Sequence, residues 1–321
     1  MFFQCGFLSI LLLFAACTEK EENDLPRIIV STDIGGNDPD DFQSMVHLLV
    51  YADRFNIEGL ISSPPYQGRK EHILETIRAY AQDYENLKTY SANFPHPDSL
   101  IRVTRQGTLE PQVGDEPEEL SEGADWIIKK AGEQSQKPLY ILVWGSITDV
   151  AQAVHAKPEI KENIRVYFIG SWNTVQDQNS QDYLYNNHPD LWLIENNTTF
   201  RGMYMGGNQS GDLGNISFVE NHVKGHGALG DLFVEKKKDI KMGDTPSVLY
   251  LLNGDFDNPE GESWGGSFVK TGHGENYWTD NQADSLIENN RQGAKTVNKY
   301  REEYLKDWAE RMDWAQAPKQ E

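Results

Sequence analysis

Cysteine is almost absent from the 321-residue sequence: Cys5 and Cys17 are the only two, both near the N-terminus. The rest of the chain has no thiol for disulfides, thiolate catalysis or a zinc–sulfur site, so its fold must stand on its core. Basic residues are few, with 29 Lys plus Arg against 50 Asp plus Glu and a formal charge of −21. That balance excludes the usual nucleic-acid binder, which relies on clustered Lys and Arg, and disfavours docking to an anionic leaflet. It leaves room for a divalent-cation site, which needs carboxylates. Residues 27–314 contain no repeat, low-complexity tract or clean linker. Hydrophobic residues make up 38% and aromatics 11%, with 8 Trp, so about 290 residues can bury a single core.

The apolar run from Gly6 to Ala16 is too short to span a bilayer and ends in small residues, as a cleaved signal does. Phe14-Ala15-Ala16-Cys17 resembles a bacterial lipobox, although no Lys or Arg precedes the run and Phe14 stands where Leu is commoner. Residues 1–16 read as a signal peptide, Cys17 as the lipidation site and 17–26 as an acidic tether like those of Bacteroidetes-type surface lipoproteins. This implies export across the inner membrane and attachment to the outer membrane or cell surface through the lipid anchor only.

The fold class expected for residues 27–314 is α/β, a mostly parallel open sheet with helices on both faces; 315–321 reads as a tail. The run 27–33 is β-branched, ends at Asp33 and reads as a buried strand. Gly35-Gly36 break it, and Asp38-Pro39-Asp40-Asp41 reads as a helix start with Asp38 as N-cap. Further strands are expected over 57–63, 138–144 and 164–169, alternating with helices over 71–84 and from about Thr148. The stretches 86–122 and 171–187 read as loops, the second polar and placed where ligands bind in such sheets. Tyr300, Tyr304, Trp308 and Met312 form an i, i+4 stripe that reads as a core-docking face.

Asp33 at a strand end and Asp40-Asp41 at the next helix start come together through one strand–loop–helix turn. Carboxylates so crowded resist ionisation unless a cation neutralises them, and Ca²⁺ suits an all-oxygen set. Helix capping accounts for Asp38 but leaves Asp33 in need of a partner. Asp38 and Asp40 both fit the first place of the pair, and adjacency to Asp41 favours Asp40.

This N-terminal pattern resembles the inosine–uridine-type nucleoside hydrolases, and more closely a divergent branch, the nucleoside hydrolase-like domain of cellulose-binding-like proteins. The likeness rests on Thr32-Asp33 with Asp40-Asp41, Val143-Trp144-Gly145-Ser146, His226-Gly227-Ala228-Leu229-Gly230, Gly243-Asp244-Thr245-Pro246-Ser247, Trp264-Gly265-Gly266 and the run from Trp308 to Trp314, in family order. The β-sandwich that often follows in this branch is not expected, because the chain stops just after Trp314.

The resemblance implies a calcium-dependent hydrolase of N-glycosyl or related glycosidic bonds. Asp33 would ligate Ca²⁺ and act as catalytic base. Asp41, Asp244 and the Thr148 carbonyl would complete the metal shell, and Asp40 would bind sugar hydroxyls. Asn186 or Asn187 would match the family's sugar-contacting Asn. The expected partner is a small glycoside or carbohydrate. A homo-oligomer stays open, since typical hydrolases of the superfamily are oligomers. Two features depart from the pattern: the Asp33-to-Asp40 interval is longer, and Gly243 stands where typical members carry a His that protonates the leaving base. The other reading is a non-catalytic carbohydrate-binding lipoprotein that keeps the fold.

His226 and His273 sit between glycines and are candidates for a leaving-group acid, with His226 inside a family motif. For both, a hydrogen-bonded loop histidine is the alternative, and it is favoured for His273. Trp172 and Trp264 are the better candidates to stack on sugar faces, while Trp144 reads as core.

Overall fold

In the computed structural model, residues 25–63, 68–112, 114–117 and 119–316 are described. The signal peptide, Cys17 and the acidic tether up to residue 24 lie outside them. Eight strands form one sheet: β1 (Arg27–Thr32), β2 (Asn56–Ser62), β3 (Thr104–Gln106), β4 (Leu139–Val143), β5 (Ile164–Ile169), β6 (Leu193–Asn196), β7 (Phe268–Lys270) and β8 (Tyr277–Asp280). Their order is β3-β2-β1-β4-β5-β6-β8-β7, parallel throughout except for the edge pair β7/β8.

The central strands are uninterrupted apolar runs because both faces are covered. Ile28 and Val30 of β1, with Tyr140 and Leu142 of β4, pack into one core. Ile29, Ile141 and Val143 point into the other. The first core takes helices Asp40–Val50, Lys70–Tyr90, Gly227–Lys236, Thr245–Leu252 and Arg301–Trp314. The second takes Glu122–Ala131, Thr148–Ala156 and Gln178–Asn187. Tyr304, Trp308 and Met312 are fully buried, as the stripe on the last helix predicts, and Ala315 beyond it is buried too.

The structure corrects three local expectations. Asp38 does not cap the first helix: Pro39 occupies that position, and Asp38 pairs with Lys241. The stretch 86–122 holds the end of a long helix, the helix Pro97–Arg102 and β3. The polar stretch 171–187 is two helices, Trp172–Gln176 and Gln178–Asn187. Its polarity reflects partial exposure.

The chain passes from β1 outward through β2 and β3, then returns to β4 on the other side of β1. That reversal leaves a crevice beyond the carboxyl ends of β1 and β4, where ligands bind in sheets of this kind. Among the described residues no helix is long and apolar enough to cross a membrane.

Candidate active site

The crevice collects four aspartates from three elements. Asp33 follows β1 directly, Asp40 and Asp41 are the first two residues of the next helix, and Asp244 sits at the N-cap of Thr245–Leu252. One side-chain oxygen from each of Asp40, Asp41 and Asp244 lies within 4.8 Å of the others. Asp33 and Asp41 share a hydrogen bond, and the Thr32 hydroxyl donates to Asp41 Oδ1. Asp41 and Asp244 are buried, and Asp244 Oδ2 has no hydrogen-bond partner.

Burial raises the proton affinity of all four, and repulsion by neighbouring carboxylates adds to it at Asp33, Asp41 and Asp244. Burial first, then the charges of Asp244 and Asp40, push Asp33 up to about 8 despite its bond to Asp41. Burial raises Asp40 to about 6, against the pull of backbone N–H groups at 40, 243 and 41. Asp41 and Asp244 lie well above the ordinary carboxylate range, through burial and then neighbouring carboxylates. Carboxylates held together in this way need protons or a cation between them.

Two glycines permit the approach. A Cβ on Gly145, just past β4, would lie 2.7 Å from the Asp33 nitrogen and 2.6 Å from the Ser63 oxygen. A Cβ on Gly243 would lie 2.8 Å from Asp40 Oδ2 and 3.4 Å from the Phe200 ring. Asp40 therefore occupies the space into which a side chain at 243 would grow. The longer loop after Asp33 begins with a tight turn, Gly36 N–H donating to the Asp33 carbonyl at 2.9 Å. Asp38 is held at its outer side by Lys241, so Asp40 joins the cluster and Asp38 does not.

The cluster opens into a cavity of about 450 Å³, within the range of small-molecule sites. Trp144, Ile169 and Phe200 form apolar wall, and Trp172, Asn173, Arg201, Tyr204 and Lys241 also line it. Trp172 is 63% exposed there, and Trp144 is at once buried and cavity-lining, its indole donating to Ser247 Oγ at 2.7 Å.

The other expected site residues do not line this cavity. Thr148 is buried in a hydroxyl network, its Oγ1 donating to Asp177 at 2.7 Å beside Ser146. Asn186 and Asn187 are exposed on a helix, and Asn187 caps back onto the Tyr183 carbonyl. Trp264 leans on the first core and donates to Glu303 at 3.2 Å. His226 lies against the last helix, Nε2 at 3.2 Å from Asp313 Oδ1, with Nδ1 near the Lys224 carbonyl. The family motif around it serves a different contact: Asp83 accepts from the N–H groups of Ala228 and Leu229 at 2.8 Å. His273 stacks on Tyr185 and bonds its carbonyl, a structural loop histidine.

Sequence reading missed Asn173, Phe200, Arg201, Tyr204 and Lys241, all of which line the cavity. Asn173 Nδ2 donates to the carbonyls of Trp144 and Ile169 at 3.0 and 2.9 Å, tying the ends of β4 and β5 together. Arg201 and Tyr204 follow β6, a strand of four residues that runs straight into Asn197-Thr198, too short to stand out by pattern.

Known proteins share this architecture. A nucleoside hydrolase-related hypothetical protein from Saccharophagus degradans, associated with carbohydrate metabolism, is 26% identical, with a TM-score of 0.73 over 91% of this chain and 72% of that one. The effector protein XOO4466 shares the fold at 10% identity, TM-score 0.57, covering 92% and 95%. The inosine–uridine-preferring nucleoside hydrolase of Bacillus anthracis does so at 12% identity, TM-score 0.52, covering 89% and 100%. No curated protein matches the sequence. Residues 27–268 match the family described as cellulose-binding Sde182, nucleoside hydrolase-like domain. That match spans most of the chain, which therefore belongs to this nucleoside hydrolase-like family.

Proposed function

We propose that the protein is a Ca²⁺-dependent hydrolase of N-glycosyl or related glycosidic bonds. The observation that carries this is the buried, unpartnered Oδ2 of Asp244 within a set of converging carboxylates. The donors are all oxygen, as a hard cation requires, and Asp41, Asp244 and Asp33 would hold it, with the charge of Asp40 close beside. A cation held there would supply charge neutralisation and Lewis acidity. Asp33 would take the proton of a water attacking the anomeric carbon. The remaining carboxylates favour the positive charge of an oxocarbenium-like transition state. Asp40, a less buried residue than Asp41, accepts hydrogen bonds from sugar hydroxyls, and Trp172 offers a stacking face at the mouth.

One observation favours a second reading, a carbohydrate-binding protein without turnover. No histidine lines the cavity among the described residues, and Gly243 has no room for one beside Asp40. The family's cellulose-binding description points the same way. Calorimetric titration of Ca²⁺ into wild type and Asp41→Asn tests the site, and binding confined to the wild type is expected. Sugar release from a glycoside panel by the wild type and not by Asp33→Asn then separates turnover from binding. We also propose that Cys17 anchors the protein, tested by loss of acyl labelling in Cys17→Ser.

A further inference from the structure

The cavity has a cationic wall for which hydrolysis of a neutral glycoside has no use. Arg201 is partly exposed, lines the cavity and stacks over the Phe200 ring at 4.4 Å. Nη1 donates to the Asn197 carbonyl at 2.7 Å and Nη2 to Ser171 Oγ at 3.0 Å, with Tyr204 close by. Among the described residues it makes no ion pair, although the chain has 50 acidic residues and only 29 basic ones. Arg27 pairs with Glu58, Arg105 with Glu122 and Arg311 with Asp53.

Arg301 is the informative contrast. It too lacks a carboxylate, but it is fully buried and each of its three nitrogens has an oxygen: Leu213 O, Met203 O and Asn215 Oδ1. Its charge is held by a cage, whereas Arg201 borders open space. Asp280, whose charge reaches Arg201, is engaged by the backbone N–H groups of Asn197, Thr198 and Thr199. A second guanidinium, Arg291, stands near enough to oppose Arg201, and its Nε is buried without a partner. Arg201 on the cavity wall, in no ion pair and backed by a second like charge, suits an anion from outside.

Building on the function proposed above, we propose that the natural ligand is an anionic glycoside. Its sugar lies over the aspartate floor, and its carboxylate, sulfate or phosphate group pairs with Arg201. A guanidinium binds such oxyanions through paired N–H donors, and partial burial strengthens the contact.

The test is calorimetry on the Ca²⁺-loaded full chain with matched probes: glucose and glucuronate, galactose and galactose 6-sulfate, ribose and ribose 5-phosphate. At least one anionic member should bind about tenfold or more tightly than its neutral parent. The pair that responds identifies the anion. Arg201→Gln should bring that preference to within about twofold, because what it removes is worth roughly one tenfold step. Arg201→Lys and Ser171→Ala, which keep a cation in the wall, should retain most of it, and thermal melting checks that each variant folds. Equal binding of neutral and anionic members overturns the inference and leaves the proposed function standing. So does a preference that survives Arg201→Gln. An equal loss in Arg201→Lys, as a bracing role would give, also overturns it. Failure of every sugar to bind the loaded wild type would instead remove the proposed function, and this inference with it.

Discussion

Asp280 and Asp244 are almost equally buried, 4% and 3% exposed, yet their surroundings are opposite. Asp280 closes β8 and accepts N–H groups from Asn197, Thr198 and Thr199, so its charge is met by donors and the turn after β6 is pinned to the sheet. Asp244 faces Asp40 and Asp41 and has one oxygen with no partner. A buried carboxylate given donors is part of the scaffold. One given other carboxylates destabilises the fold unless something positive arrives from solvent. Burial alone therefore does not identify a functional acid in this protein. The identity of the neighbours does.

The largest effect that sharpens this contrast is on stability. Asp280→Ala should lower unfolding free energy by about 3 kcal/mol or more, since it leaves buried N–H donors unpaired. Asp244→Ala should leave metal-free stability unchanged or raised. Urea unfolding of both variants with EDTA reads this, and comparable losses would break the comparison. Next comes the cation. Saturating Ca²⁺, at about 100 times Kd, should stabilise wild type and Asp280→Asn by about 2.7 kcal/mol and Asp244→Asn by nothing measurable.

The third effect is on pH dependence. Asp33 is raised to about 8 and Asp40 to about 6, above their unfolded values. The folded, metal-free protein thus holds protons that the unfolded chain releases. Stability from these groups is fully present below the unfolded carboxylate range and is lost as pH rises through about 6 and then 8. Melting temperature in EDTA should therefore rise as pH is lowered from 8 to 5. With Ca²⁺ present, stabilisation should shrink over the same interval, because ligation needs the deprotonated acids. Parallel melting series would count against the site. The smallest effect is local: Gly243→Ala should displace Asp40 and weaken Ca²⁺ affinity several-fold, with a stability loss at the low end of the 1–3 kcal/mol typical of overpacking.

Much of this was legible without coordinates. Asp33, Asp40, Asp41 and Asp244 converge as the resemblance implies, because three of them lie on one strand–loop–helix turn whose geometry is local. The β1, β4 and β5 runs announced themselves by uninterrupted apolar character. What escaped the reading came from short or polar elements. β6 has four residues and β3 three, so neither carries a period, and with β6 went Phe200, Arg201 and Tyr204. The reading of His226 as an acid followed a motif whose work in the structure is to receive Asp83 at a helix start. The resemblance points to Asn186 or Asn187 as the sugar-contacting Asn, and the helix they sit on leaves both exposed. Asn173, on the preceding short helix of the same polar stretch, reaches the cavity instead.

Local order and composition were enough to specify a parallel α/β sheet, an acid at the end of its first strand and a domain without cysteine beyond residue 17, since these depend on residue content and on neighbours a few residues apart. Which acids meet, and which are left facing cations, depended on the strand order that sets β1 against β4 and brings residues 200 positions apart to one crevice. Gly145 and Gly243 carry that decision in miniature. Nothing in their immediate sequence calls for glycine as strongly as the Asp33 backbone and the Asp40 carboxylate that the fold packs against them.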